Sequence, residues 1–187
     1  SPATSTSYTV NATDANGCTA TASKIVTVNA LPTVSVSPTT AAFCAGGNVQ
    51  LTASGASTYS WSPATGLSAT NIANPTASPA ITTTYTVSGT AANGCTATAS
   101  KIVTVNALPT VSVSPASATI NSGNSTTLTA SGASTYSWTP STGLSATNIA
   151  NPSANPTSTI TYIVTGTSSA GCLDTQSVKV TVVNPTL

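Results

Sequence analysis

The chain has 187 residues, of which 39% are hydrophobic and only 3% charged, and its formal net charge is +1. The charged side chains are Asp14, Lys24, Lys101, Asp174 and Lys179, and there is no His, Met, Glu or Arg. General acid–base catalysis needs a positioned His, carboxylate, Lys, Cys or Tyr of suitable pKa, and two remote Asp residues supply neither a carboxylate pair nor the clustered oxygens of a calcium site. The nearest cysteines, Cys18 and Cys44, are 26 residues apart, which is not a zinc-ligand spacing. Three scattered Lys residues make no nucleic-acid footprint. No apolar run reaches the length of a membrane span. No signal peptide is visible, so the sequence reads as a mature piece or an internal segment. Catalytic, cofactor-binding and metal-binding residues are therefore all expected to be none, and the chain is not expected to be an enzyme.

Ser and Thr make up more than a third of the residues. They alternate with Val, Ala, Tyr and Ile, the pattern of strands with one wet face. Thr also suits a pleated, half-buried surface. Solubility rests on hydroxyls rather than charge.

Residues 1–31 read as the C-terminal part of a preceding repeat. The segment Asn16–Pro38 recurs unchanged at Asn93–Pro115, an offset of 77 residues. Leu51–Pro75 recurs at Leu128–Pro152 with two changes, Ser62 to Thr139 and Ala64 to Ser141. Residues 1–31 would thus hold only the last strands of a unit whose other half is missing. A lone two-stranded hairpin is marginal in water. That half is supplied either upstream in a longer chain or by a neighbouring protomer, and we favour the longer chain.

Residues 32–109 form the first whole repeat and residues 110–187 the second. Units of this length can each hold a core. In chain order, Thr33–Ser37 alternates with period two, as does Asn48–Ala53. Ser57–Trp61 puts Tyr59 and Trp61 on one face, and Thr83–Val87 does the same for Tyr85 and Val87. A longer last strand is predicted over Cys95–Val105. Gly- and Pro-containing turns separate these segments, and none shows helical periodicity. Short strands at such spacing predict an all-β chain of antiparallel β-sandwiches of immunoglobulin-like type. Trp61 and Trp138 are the expected core of the third main strand. Tyr85 and Tyr162 stand where a tyrosine corner would open the penultimate strand. The joints Asn29–Pro32 and Asn106–Pro109 favour an extended, fairly stiff arrangement of neighbours.

Tyr59-Ser-Trp61-Ser-Pro63, Thr84-Tyr85-Thr-Val87, Asn93-Gly94-Cys95 and Ile102-Val-Thr-Val105 together carry a resemblance. The chain resembles the PKD-like and immunoglobulin-like tandem repeats of large bacterial cell-surface and secreted proteins of the gliding and adhesion type. The resemblance implies a secreted or cell-surface location and a role in structural spacing and adhesion. It brings no catalytic residues with it.

The disulfide candidates are Cys18, Cys44, Cys95 and Cys172. An extracellular protein oxidises such residues. Cys18, Cys95 and Cys172 share one repeat position, while the counterpart of Cys44 in the last repeat is Asn121. Two pairings remain open: Cys44–Cys95 inside one repeat, and Cys44–Cys172 between neighbours. In immunoglobulin topology the A–B loop faces the next domain and that domain's F–G turn faces back, which would bring the second pair within reach of a disulfide. Cys18 and Cys95 would then pair further upstream. A nucleophilic cysteine wants a His or cationic neighbour, and there is no His. Lys24 and Lys101 read as edge-strand charges that discourage wrong pairing. Asn11-Ala-Thr13 and Asn124-Ser-Thr126 match glycosylation acceptors.

These features point to a structural segment that forms a fibre, stalk or filament at the cell surface, with neighbouring repeats or protomers as its partners. The alternative is an adhesin module that binds a surface glycan or host protein through multivalent loops such as Pro63–Pro79. No nucleic acid and no membrane span enter either reading.

Overall fold

The computed structural model describes residues 1–184, and among them all regular structure is β. The chain opens with an antiparallel hairpin, β1 (Thr6–Thr13) and β2 (Thr19–Val26), in which Tyr8 stands opposite Lys24 and Val10 opposite Ala22. Then follow β3 (Ser35–Ser37), β4 (Ala41–Cys44), β5 (Val49–Gln50), β6 (Thr52–Ser54), β7 (Thr58–Ser62), β8 (Thr76–Ala77), β9 (Thr83–Thr90) and β10 (Thr96–Asn106). The same succession returns as β11 (Ser112–Ser114), β12 (Ser117–Asn121), β13 (Thr126–Thr127), β14 (Thr129–Ser131), β15 (Thr135–Thr139), β16 (Ser153–Ala154), β17 (Ile160–Thr167) and β18 (Leu173–Val183).

Each succession builds a four-stranded sheet, β4-β10-β9-β7 in one case and β12-β18-β17-β15 in the other. Short pairs complete the opposite layer: β3-β6 and β5-β8, then β11-β14 and β13-β16. β12 runs parallel to β18 along the sheet edge, whereas β7–β9, β9–β10, β15–β17, β17–β18 and the short pairs are antiparallel. By compactness the chain divides into two units, Ser1–Ala41 with Asn48–Pro79 and Thr83–Val103, and Ala42–Gly47 with Ala80–Thr82 and Thr104–Leu187.

The alternation in the sequence becomes the two faces of the sheet. Along β9, Tyr85 and Val87 are fully buried and their neighbours are not. In the same unit Leu51, Ala53, Trp61, Ala77 and Val103 are buried too, all at most 4% exposed. In the second unit Leu128, Ala130, Trp138, Ala154, Tyr162, Val164, Val178 and Val180 form one cluster drawn from both layers. Burying one aromatic side chain removes roughly 150–250 Å² from water, which at about 25 cal/mol per Å² stabilises the sandwich by about 4–6 kcal/mol. Trp and Tyr dominate so small a core.

The polar ends of these rings are all satisfied. The Tyr85 hydroxyl donates to the Thr65 carbonyl at 2.7 Å and the Tyr162 hydroxyl to that of Thr142 at 2.6 Å. The Trp61 indole N–H donates to the Ile72 carbonyl and that of Trp138 to Ile149, both at 2.9 Å. The tyrosine contact therefore reaches 20 residues back to the long loop after β7, where a corner would bond only a few residues upstream. Gly66 shapes this loop with a φ of +76°. A Cβ there would lie 2.8 Å from Pro79 Cα and 3.0 Å from the Tyr85 hydroxyl oxygen. The expected strand Asn48–Ala53 is split into β5 and β6, because Leu51 pairs instead with the carbonyl of Pro75. Two short strands escaped the sequence reading, β4 and β8. Each is too short for period-two alternation to register.

Replacing Tyr85 or Tyr162 by Phe removes the hydroxyl that donates to the Thr65 or Thr142 carbonyl, and we expect each change to lower stability by about 0.5–1.5 kcal/mol in urea unfolding. Tyr8→Phe, on an exposed strand, is the control and shifts it by less than about 0.5 kcal/mol. Gly89→Ala brings a Cβ to 2.6 Å from Val34 Cγ2 and 2.7 Å from Ala56 Cβ, and overpacking of this kind costs about 1–3 kcal/mol. Burial raises the Tyr85 and Tyr162 hydroxyls above their ordinary pKa of 10.0. The unfolded chain then loses its tyrosine protons first, so this contribution is intact below about pH 10 and stability falls as pH rises beyond it. An alkaline titration of the melting temperature reads this directly.

Candidate functional site

Among the described residues no ligand-sized pocket opens, and no three His, Cys, Asp or Glu side chains gather around a common point. The side chains with distinctive chemistry are the cysteines and the turns that carry them.

Cys18, Cys95 and Cys172 each follow a left-handed glycine in the turn of a long hairpin, with φ of +85° at Gly17, +84° at Gly94 and +81° at Gly171. Only glycine adopts that conformation without penalty, which explains the Asn-Gly and Ala-Gly signals before each cysteine. The turns close in the same way: Ala91 N–H donates to the Cys95 carbonyl and Ser168 N–H to that of Cys172, each within 2.9 Å. A side chain then fixes the cysteine amide. The acceptor is Asp14 Oδ1 for Cys18, Asn93 Oδ1 for Cys95 and Ser168 Oγ for Cys172.

Cys44 is bonded to Cys172, with a Cα–Cα distance of 5.6 Å and a sequence separation of 128. Cys18 and Cys95 are free thiols, the first exposed and the second half-buried. The alternative pairing of Cys44 with Cys95 is not formed, and the reason is geometric. Ala45, next to Cys44, donates its N–H to the carbonyl of Asn106 at the far end of β10. Cys95 precedes the near end of that 11-residue strand. Such a strand spans about 36 Å, several times the reach of a disulfide.

The Asn106 carbonyl is where these parts meet. It accepts the Ala45 N–H at 2.8 Å and lies 3.9 Å from Cys172 Sγ. Cys172 is 1% exposed. The carbonyl of Asn29 holds the same relation to Cys95, whose Sγ is also 3.9 Å away, and Asn93 Nδ2 donates to the neighbouring Ala30 carbonyl. Near Cys172, the Asp174 carboxylate accepts the Val111 N–H at 2.9 Å.

Lys101 does not lie on a bare sheet edge. β4 stands beside β10, and the Lys101 ammonium donates to the Thr39 carbonyl at 3.0 Å. The strand that covers this edge was the one the sequence hid. The loop after β7 is also less free than its composition suggests. The Thr70, Ile72, Ala73 and Pro75 carbonyls all accept from Leu51, Ala53 and Trp61. Trp61 and Trp138, each 3% exposed, offer no face to a ligand.

No protein-family model matches the chain, and no curated protein matches it. Solved structures align with it loosely. A Ca2+-stabilized adhesin with which an Antarctic bacterium binds ice aligns at a TM-score of 0.46 and 15% identity, over 98% of this chain and 58% of that one. The insect immune protein hemolin aligns at 0.44 and 14%, over 95% and 56%. The DIP-gamma IG1+IG2 fragment aligns at 0.41 and 10%, over 81% and 98%. This chain thus spans a little over half the length of the first two, and likenesses of this depth assign it no function.

Proposed function

We propose that the chain is a load-bearing structural segment of an extracellular fibre, stalk or filament, built of sandwiches at residues 32–109 and 110–187 behind the trailing part, 1–31, of another. The Cys44–Cys172 bond carries this reading. Its sequence separation of 128 exceeds the 77-residue repeat, so it runs from the leading half of one repeat to the last hairpin of the next. A disulfide of that kind persists outside the reducing cytosol. It also reroutes tension. Force applied at the chain ends passes from Cys44 to Cys172 and bypasses the backbone between them. The absence of a His and the scarcity of charge suit a spacer that does no chemistry.

The adhesive alternative draws less support. Its best loops, Pro63–Pro79 and the equivalent stretch of the second repeat, are held by backbone hydrogen bonds to the sandwich, and they serve the core as much as the surface.

Single-molecule pulling tests the load path. The oxidised chain should extend less than the reduced chain by roughly 420–460 Å, the contour of the 128 residues under the bond at about 3.3–3.6 Å each. Equal extension would remove the covalent strap from the mechanism. In bulk, reduction should lower stability by about 2–5 kcal/mol, read from urea unfolding with and without reductant. Capture of the chain on a glycan array would favour the adhesive reading.

A further inference from the structure

Two hairpin turns carry an Asn-Gly pair, Asn16-Gly17 between β1 and β2 and Asn93-Gly94 between β9 and β10. Their surroundings in the sequence differ at one place. Asp14-Ala-Asn-Gly-Cys18 has an aspartate where Ala91-Ala-Asn-Gly-Cys95 has an alanine. An asparagine followed by glycine is open to attack by its own backbone. The glycine nitrogen closes on the asparagine Cγ to form a five-membered imide, and glycine has no Cβ to hinder the closure or to restrict the backbone.

Both turns are open to water. Asn16 and Asn93 are exposed, and a Cβ built on Gly17 or Gly94 would meet nothing within 4 Å. Asn93 is exposed although the inner face of its hairpin is buried, so cover over the sheet leaves this turn in solvent. The backbones also close alike. Gly17 N–H donates to the Asp14 carbonyl at 3.1 Å and Gly94 N–H to the Ala91 carbonyl at 2.9 Å, and the two glycines have φ of +85° and +84°.

The asparagine side chains are held differently. Asn93 Oδ1 accepts the Cys95 N–H at 3.0 Å, a contact two residues on that fixes the side chain against the turn. Its Nδ2 donates to the Ala30 carbonyl at 3.2 Å. In the first turn Asp14 takes the place of Asn16 in this duty. Asp14 Oδ1 accepts the Cys18 N–H at 2.8 Å and the Asn16 N–H at 2.9 Å. The Cys18 amide is thereby occupied, and among the described residues the Asn16 side chain makes no hydrogen bond. One aspartate releases the asparagine beside it.

We propose that Asn16 is a self-modification site of the folded chain, which converts to aspartate and isoaspartate, and that side-chain hydrogen bonds hold Asn93 out of the same reaction. The Gly17 nitrogen loses its proton to solvent and attacks Asn16 Cγ. The bond from Cγ to the side-chain nitrogen breaks, and that nitrogen leaves as ammonia. One water then opens the imide at either carbonyl. Opening at the backbone carbonyl carries the main chain through the side chain and lengthens the turn by one methylene. Either product adds a carboxylate beside Asp14 in a chain with few charges. At Asn93 the closure first requires both side-chain bonds to break. The proposal stands apart from the load-bearing reading and uses neither the disulfide nor the joints.

Peptide mapping by mass spectrometry, after timed incubation of the folded chain in mildly alkaline buffer, tests it. Aspartate and isoaspartate should accumulate at position 16 about tenfold faster than at position 93, since two hydrogen bonds must open at the second site. Equal rates, or a faster reaction at Asn93, overturn the proposal. In urea the two sites should react alike. A difference that persists there belongs to the neighbouring sequence rather than the fold, and overturns it too. Asp14→Ala makes the first turn identical to the second in sequence, and should slow the reaction at Asn16 by letting its Oδ1 take the Cys18 amide. Because that change also removes a turn contact, Ala91→Asp is the second variant. It should free Asn93 Oδ1 and speed the reaction there severalfold, with the hairpin still set in its sandwich. An Asn93 rate unmoved by Ala91→Asp overturns the proposal.

Discussion

The structure depends on two hydrogen bonds made by two buried rings to one loop. In each sandwich a tyrosine hydroxyl and an indole N–H donate to carbonyls of the stretch that follows the Trp strand. Without those partners the rings would carry unsatisfied polar ends into an apolar space, at a cost of several kcal/mol. With them, the largest side chains of a small core become its staples. The loop is held against the sandwich, and its own carbonyls accept from Leu51 and Ala53 on the opposite layer. Among the described residues no buried side-chain nitrogen or oxygen is left without a partner.

The surface follows a different rule. With 3% charged residues, the exposed faces are held by hydroxyl pairs across strands: Thr86 with Ser100, Ser35 with Ser54, Ser112 with Ser131 and Thr9 with Ser23. Such pairs contribute a few tenths of a kcal/mol to about 1 kcal/mol each and are indifferent to ionic strength, unlike exposed ion pairs. Three of the five charged side chains bond to backbone. Asp14 accepts from the turn amides of Asn16 and Cys18, Asp174 from Val111, and Lys101 donates to Thr39.

Near-identity of the repeats makes their differences informative. Cys95 and Cys172 have the same turn and the same carbonyl beside them, and differ in whether a cysteine arrives from elsewhere. Tyr8 and Tyr85 each stand opposite a lysine of their hairpin, Lys24 and Lys101, and differ in burial. Each contrast holds local structure constant and isolates what a neighbouring half contributes.

Much of the fold was legible in the sequence. Period-two alternation in Thr83–Val87 and Ser57–Trp61 located β9 and β7 and the buried face of each, because a strand's side chains alternate by geometry alone. The Asn-Gly and Ala-Gly pairs located the hairpin turns, because a left-handed residue there calls for glycine. What needed the tertiary structure was whatever depends on distance between remote parts. The two-residue β8 and the parallel edge strand β12 are defined by their partners rather than by any pattern of their own. Four cysteines allow several pairings by spacing, and only the placement of Cys44 at the far end of β10 excluded Cys95 and admitted Cys172. Sequence encodes which side chains seek burial, whereas which surfaces meet is decided when the strands have taken their register.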